Sequence, residues 1–249
     1  MKTNEIYQGD CLDLLPEIPD KSIDMILCDL PYGTTECSWD SIIDMGKLWE
    51  QYERIIKDNG AIVLTANSVF TFKLWSSNPK IYRYKWTWYK GGTTGFLNAN
   101  VKPFTVTEDV LIFYNTKPTY NPQKTKCKPY TRVQYGATDV YRPNRHYQKA
   151  TVNEGLRFPE DILFIEHDKN RQHPTQKPVA LFEYLIKTYT NEGEIVLDNC
   201  SGSGTTAIAC LNSNRRFICM EKDETYYKKS LDRLANHEPL LYLGSTNEN

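Results

Sequence analysis

Short apolar runs alternate along the chain with stretches in which apolar residues recur every three or four positions. Residues 22–28 carry Ile23 and Met25-Ile26-Leu27 and predict a buried strand. Over residues 42–57, apolar side chains at 42, 45, 48, 49, 52, 55 and 56 share one face of a 3.6-residue period; a helix is expected there, ended by Asn59-Gly60. A second apolar strand covers 61–65, a short helix 69–75, an aromatic strand 82–89 and a further strand 109–114. Order returns at 157–165. Leu181, Phe182, Leu185, Ile186 and Tyr189 then mark one helical face, which Asn191-Glu192-Gly193 stops. Strand 194–197, helix 205–211, strand 216–220 and helix 225–234 complete the series. Strands alternating with helices in this way predict an α/β fold with a doubly wound, mostly parallel sheet. No internal repeat interrupts it, and residues 244–249 read as a frayed end.

Residues 116–150 break the pattern. Eight basic residues (Lys117, Lys124, Lys126, Lys128, Arg132, Arg142, Arg145 and Lys149) stand against one acid, Asp139, a local charge of +7 in a chain of net charge −1. Tyr120, Tyr130, Tyr135, Tyr141 and Tyr147 are interleaved with them, and four prolines and few aliphatics leave little to bury. Such a face suits nucleic acid; a solvated surface loop is the plainer alternative. The expected organisation is a first half over 1–115, an insert over 116–170 and a second half over 171–249. Trp86, Trp88 and Tyr89 read as core rather than as a base-stacking row, and Lys90-Gly91-Gly92 after them is placed to shape a pocket.

Composition narrows the class further. A 249-residue chain, 40% hydrophobic and 24% charged, is ordinary globular usage and fits one large α/β domain, with or without an inserted subdomain. The seven cysteines (11, 28, 37, 127, 200, 210, 219) form no CxxC pair, and the four histidines (146, 167, 173, 237) are scattered. A cytoplasmic protein in a reducing compartment is expected, without disulfides, a metal site or a membrane span.

Two fragments carry candidate chemistry. Gly202 and Gly204 lie between Ile195-Val196-Leu197 and the helix expected at Thr205, where glycines allow close backbone approach and helix N–H groups face a ligand. No Lys follows, so a triphosphate loop is excluded. Asp198 before the glycines suits a cationic ammonium, and Glu221, 17 residues after Gly204, suits paired ribose hydroxyls. A tight turn beside a solvated acid is the alternative. Near the other end, Asp29-Leu30-Pro31-Tyr32 closes the first strand. Asp29 and the Leu30 carbonyl offer two acceptors to an amino group, Pro31 stiffens the turn, and Tyr32 offers a flat face to a planar ring. Alone, this could equally be a strand-ending turn with a packing Tyr.

Gly9-Asp10-Cys11, Asp29-Leu30-Pro31-Tyr32-Gly33, His173-Pro174-Thr175-Gln176-Lys177-Pro178 and residues 198–206, in that order, resemble the amino-group DNA methyltransferases that use S-adenosylmethionine, in their permuted β arrangement. The resemblance spans nearly the whole chain. It implies a Rossmann-like methyltransferase fold in which the strand near 109–114 is antiparallel and the basic insert reads the DNA target. It further implies that Asp29 and the Leu30 carbonyl receive the target amino group, with Pro31 between them and Tyr32 stacked on a flipped base. Asp198, Gly202, Gly204 and Thr205 are expected around the methionine part of the cofactor, and Lys177 near its carboxylate. Glu221 is expected at the ribose, and Asp10 and Cys11 beside the cofactor's adenine. Lys124, Lys126, Lys128, Arg132, Arg142 and Arg145 are the expected DNA contacts, and Trp39-Asp40 follow the clamp closely enough to line the base pocket.

The family's DPPY has Pro where this chain has Leu30, and its DPF is here Asp198-Asn199-Cys200. An opening Asp favours adenine N6, whereas cytosine-N4 enzymes more often begin with Ser. The expected partner is duplex DNA; a homodimer and a cognate restriction nuclease stay open. So do a cytosine-N4 target, an RNA or protein-amide substrate, and a non-catalytic DNA-binding relative.

Overall fold

The structure, a computed structural model, describes residues 1–33, 43–134, 149–168 and 176–237. Trp39, Asp40, Arg142, Arg145 and His173-Pro174-Thr175 lie outside the described residues, as does the end of the chain from 238. Residues 1–121 with those from 161 onward form one compact unit, and residues 122–160 a second.

In the larger unit the strands are β1 (Glu5–Gln8), β2 (Ile23–Cys28), β3 (Ile56–Ala66), β4 (Tyr82–Thr94), β5 (Thr105–Phe113), β10 (Ile162–Phe164), β11 (Ile195–Asp198) and β12 (Arg216–Glu221). They form one sheet in the order β1-β12-β11-β2-β3-β5-β4-β10. Every neighbouring pair is parallel except the two that involve β5, so β5 alone runs against the rest. That strand contains the antiparallel member expected from the sequence.

Among the described residues, six α-helices accompany this sheet: α1 (Cys11–Leu14), α2 (Met45–Ile55), α3 (Ser68–Ser77), α4 (Val179–Tyr189), α5 (Thr205–Asn212) and α6 (Glu224–Ala235). Successive strand residues point to opposite faces, and β2 shows the consequence. Ile23, Ile26 and Cys28 join a core with Leu48, Trp49, Tyr52 and Ile55 of α2 and Phe70 and Leu74 of α3. Met25 and Leu27 join the opposite core, with Leu181, Phe182, Leu185 and Ile186 of α4 and Ala207 and Ala209 of α5. A strand covered on both faces reads as a continuous apolar run, as β2 does.

The expected helix over 42–57 is shorter than its pattern. It spans Met45–Ile55, capped by Asp44, which accepts from Gly46 and Lys47 N–H. β3 begins at once with Ile56, so Asn59-Gly60 sit inside a strand and do not end a helix. A bulge explains this: the pairing jumps from Ile23↔Ile56 to Met25↔Ala61. Asp24, almost buried, anchors it by receiving Lys57 Nζ at 2.6 Å and Ile195 N–H at 2.9 Å. A Cβ on Gly60 would stand 2.8 Å from the Asp24 carbonyl, so only glycine fits there. β1 carries too few apolar residues to stand out in the sequence; only Ile6 of its four is buried. Trp86 and Trp88 are core, their indole N–H groups donating to the Tyr189 hydroxyl and the Ile165 carbonyl, each at 2.7 Å, whereas Tyr89, also expected in the core, is exposed.

The second unit is a two-stranded antiparallel ribbon. β6 (Thr125–Lys126) pairs with β9 (Leu156–Arg157), and β7 (Tyr130–Gln134) with β8 (Lys149–Asn153). Asn153 joins the two ladders, its Oδ1 accepting from Gly155 and Leu156 N–H. Lys124, Lys126, Lys128 and Arg132 are exposed on it. Lys124 Nζ rests 4.5 Å from the Phe158 ring centroid.

Among the described residues, no helix is long and apolar enough to cross a membrane, and no His, Cys, Asp and Glu group could hold a metal ion.

Candidate active site

Strand order reverses between β11 and β2: from β11 the sheet runs outward to β12 and β1, and from β2 outward to β3. In open parallel sheets the crevice beyond the strand ends at such a point is the ligand site. Val196 and Leu197 pair with Met25 and Ile26, so the Asp198 loop and the Asp29 turn leave the sheet side by side. The thiols of Cys28, just before Asp29, and of Cys11 both contact Cys200, tying the two loops together beneath the crevice.

On the β2 side, Asp29 is fully engaged. The Tyr32 hydroxyl donates to Asp29 Oδ1 at 2.8 Å, and the Thr65 hydroxyl donates to the same oxygen. Lys177 Nζ donates to Asp29 Oδ2 at 2.8 Å. Tyr32 stacks on Phe70 with ring centroids 4.8 Å apart, so one face of the tyrosine is already covered. Burial, and the carboxylate beside it, hold the Tyr32 hydroxyl well above its usual range, as a donor. Leu30 is 3% exposed and packs in the core, so any role at the crevice falls to its backbone.

On the β11 side, Asp198 is buried. Its Oδ1 accepts the Cys200 N–H at 3.1 Å and its Oδ2 accepts the Thr206 hydroxyl. Burial pushes its carboxyl up to about 7. Glu221, also raised by burial, accepts Gly202 N–H at 2.7 Å and Asp223 N–H at 2.8 Å and so fastens the glycine loop to the end of β12. Gly204 has φ 79° and caps α5; a Cβ there would press within 3.1 Å of Ser230 on α6. Gly202 has φ 52° and open space where a Cβ would be. The Thr205 hydroxyl receives Arg233 of α6 at 3.2 Å. Asp10 caps α1 and pairs with exposed Lys222 at 2.9 Å, which holds its carboxyl below the usual range. Asn199 accepts the Tyr52 hydroxyl at 2.5 Å.

The structure therefore brings Asp29, Tyr32 and Lys177 together on one side of the crevice. Asp198, Gly202, Gly204, Thr205, Glu221, Asp10 and Cys11 gather on the other. Lys177, expected near a cofactor carboxylate, has its ammonium on Asp29. The loop itself is suited to a polar guest: the buried Ser201 hydroxyl has no hydrogen-bond partner among the described residues, and a Cβ on Gly202 would meet nothing within 4 Å.

A family model described as DNA methylase matches residues 23–232. The chain belongs to this DNA methylase family. The methylase is 30% identical to the DNA adenine methyltransferase YhdJ of Escherichia coli, covering 93% of this chain and 83% of the relative. It is 28% identical to the type II methyltransferase M.HpaI of Haemophilus parainfluenzae, over 91% of this chain and 72% of that one. The solved structure of M1.HpyAVI in complex with SAM has the same fold, with a TM-score of 0.63 at 23% identity, covering 92% of this chain and 98% of that one. The residues at the strand reversal, a buried acid at Asp198 beside the glycine loop at Gly202 and Gly204, are of the kind that would hold S-adenosylmethionine.

Sequence reasoning missed Thr65, Thr206, Arg233 and Glu108, and placed Lys90 only as part of a pocket-shaping turn. Thr65 and Thr206 hold the two carboxylates. Arg233 ties α6 to the glycine loop. Lys90 and Glu108 form an ion pair at 3.2 Å behind the clamp.

Proposed function

We propose that the methylase transfers the methyl group of S-adenosylmethionine to the exocyclic N6 of an adenine flipped out of duplex DNA. The observation that carries this reading is the adjacency of β2 and β11, which sets an amino-group acceptor beside a buried acid at a glycine loop. The adenine activity in the name of YhdJ supports it, as does the acidic residue that opens the Asp29-Leu30-Pro31-Tyr32 turn.

The amino group of adenine is a poor nucleophile because its lone pair is delocalised into the ring. Asp29 Oδ1 accepts one N6 hydrogen in place of a hydroxyl, and the Leu30 carbonyl accepts the other. With both hydrogens held, the nitrogen turns toward a pyramidal geometry and its lone pair becomes available. Tyr32, backed by Phe70, holds the ring flat. Base extrusion costs a few kcal/mol, which stacking and these hydrogen bonds offset. Asp198 would hold the cofactor's ammonium, Glu221 its ribose, and Asp10 and Cys11 its adenine, with Gly202, Gly204 and Thr205 forming the loop around it. When bound, S-adenosylmethionine supplies a methyl carbon on a positively charged sulfur whose departure leaves a neutral thioether, so no acid is needed. The protein's share is orientation and charge placement, and Asp29 takes the surplus N6 proton late.

The ribbon is the proposed reader of the target. A two-stranded ribbon fits the major groove, and Lys124, Lys126, Lys128 and Arg132 offer phosphate and base contacts, extended by Arg142 and Arg145. Methylation-aware sequencing of DNA from cells expressing the protein tests the whole reading. N6-methyladenine in a fixed sequence context is expected. N4-methylcytosine would move the target base, and unmodified DNA would refute the proposal.

A further inference from the structure

Behind the clamp lies a row of alternating charges. Lys177 Nζ stands 2.8 Å from Asp29 Oδ2 and 3.2 Å from Glu108 Oε2, and Lys90 Nζ stands 3.2 Å from Glu108 Oε1. The two lysine side chains are each 5% exposed, Glu108 12% and Asp29 25%. The row is therefore buried except at its last member, the acceptor carboxylate. Topology assembles it. β5 runs against the sheet, so its early residue Glu108 reaches the edge where β2 ends, and β4 delivers Lys90 beside it through the pairing Trp88↔Glu108.

Buried ion pairs are costly, and apolar side chains of similar volume usually serve stability as well or better. Two lysines and a glutamate placed here thus call for a reason other than stability. We propose, resting on the reading above, that Lys177 and Glu108 are positioning residues for methyl transfer. Lys177 pins Asp29 Oδ2 so that Oδ1 alone faces the target amino group, and Glu108, steadied by Lys90, keeps Lys177 there. Burial alone would push the Lys177 ammonium down; the Asp29 and Glu108 carboxylates instead hold it well above its usual value. The charged and titratable groups around Asp29 are Lys177 from the segment before α4, Tyr32 from its own turn, Glu108 from β5, Asp198 from β11 and Cys28 from β2. Among these, Lys177 is the cation.

The test is single-turnover methylation of duplex DNA at saturating S-adenosylmethionine across DNA concentrations, with cofactor affinity measured separately by calorimetry. For Lys177→Met, the rate at neutral pH is expected to fall about 100-fold. The half-saturating DNA concentration should change by less than about threefold, so that the loss falls on the transfer step. Cofactor affinity should stay within about threefold. Lys177→Arg, which keeps the cation, should recover most of the rate. Glu108→Gln, which keeps shape and removes only charge, should lower the rate in the same direction and provides the test if Lys177→Met does not fold. A wild-type rate in Lys177→Met, or in Glu108→Gln where only that variant folds, would overturn the proposal. So would a selective loss of cofactor affinity in Lys177→Met, which would assign Lys177 to the cofactor carboxylate. If the unaltered protein leaves adenine in duplex DNA unmethylated, the functional reading falls and takes this one with it.

Discussion

The Thr206 hydroxyl donates to Asp198 Oδ2, so the first turn of α5 reaches back across the glycine loop to the end of β11. This bond favours the ionised carboxylate, while burial raises the carboxyl to about 7. Between pH of about 4 and about 7 the folded chain then keeps a proton that the unfolded chain has released. Through this group, the free methylase loses stability as pH rises across that window. A bound cation reverses the preference. Binding of S-adenosylmethionine is thus expected to release up to one proton near pH of about 6 and none above about 8. Calorimetry in buffers of different ionisation heat measures this. Thr206→Val removes the donor and should weaken cofactor binding at neutral pH by about tenfold. Equal affinity and no proton release on both sides of neutrality would remove Asp198 from the ammonium site.

Asp29→Asn replaces one acceptor oxygen with an N–H donor at the point where the target amine must be received. Methyl transfer should fall by about 100-fold or more. Cofactor affinity should remain, since Asp198 and Glu221 are untouched. Undiminished transfer by this variant, followed with radiolabelled methyl groups, would take Asp29 out of the chemistry.

Gly60→Ala probes the bulge that places β2 against β3. The new Cβ would meet Ile56 side-chain atoms at 2.7 Å and the Asp24 carbonyl at 2.8 Å. The isoleucine can shift, but the backbone carbonyl is fixed in the sheet. A loss of about 1–3 kcal/mol is expected. Urea unfolding would measure it, and a midpoint equal to wild type would show that the strand relaxes freely.

Lys124, Lys126 and Lys128 changed together to Ala should weaken DNA binding and flatten its dependence on salt. For every phosphate that is no longer neutralised, the slope of log K against log salt should become shallower by about 0.9. Arg142→Ala and Arg145→Ala are expected to act in the same direction. Binding of unchanged strength and salt slope would place the DNA surface elsewhere, and cofactor affinity serves as the control.

Local chemistry made much of this methylase readable from residue order. The β2 and β11 segments are apolar enough on both faces to announce buried parallel strands. The turns that follow them, at Asp29 and Asp198, contain residues whose chemistry is set by their own type: a carboxylate, a rigid proline, an aromatic face, glycines with positive φ. The strand over 109–114 was legible from its apolar run, while its antiparallel sense was implied only by the family resemblance. Asn59-Gly60 misled because the same dipeptide that ends a helix also suits a bulge, and a buried Asp24 hydrogen-bonded to residues from two other strands selects between them.

Which distant side chains meet is a different kind of information. Lys177 and Asp29 are 148 residues apart, Lys90 and Glu108 sit on neighbouring strands, and no spacing rule links the four. A charge finds its partner by cost: buried without an opposite charge it destabilises the chain, and the pairing that relieves this depends on how the whole sheet is ordered. Residue order named the reacting groups. The folded sheet assigned their neighbours, because burial and long-range pairing exist only once the strands have come together.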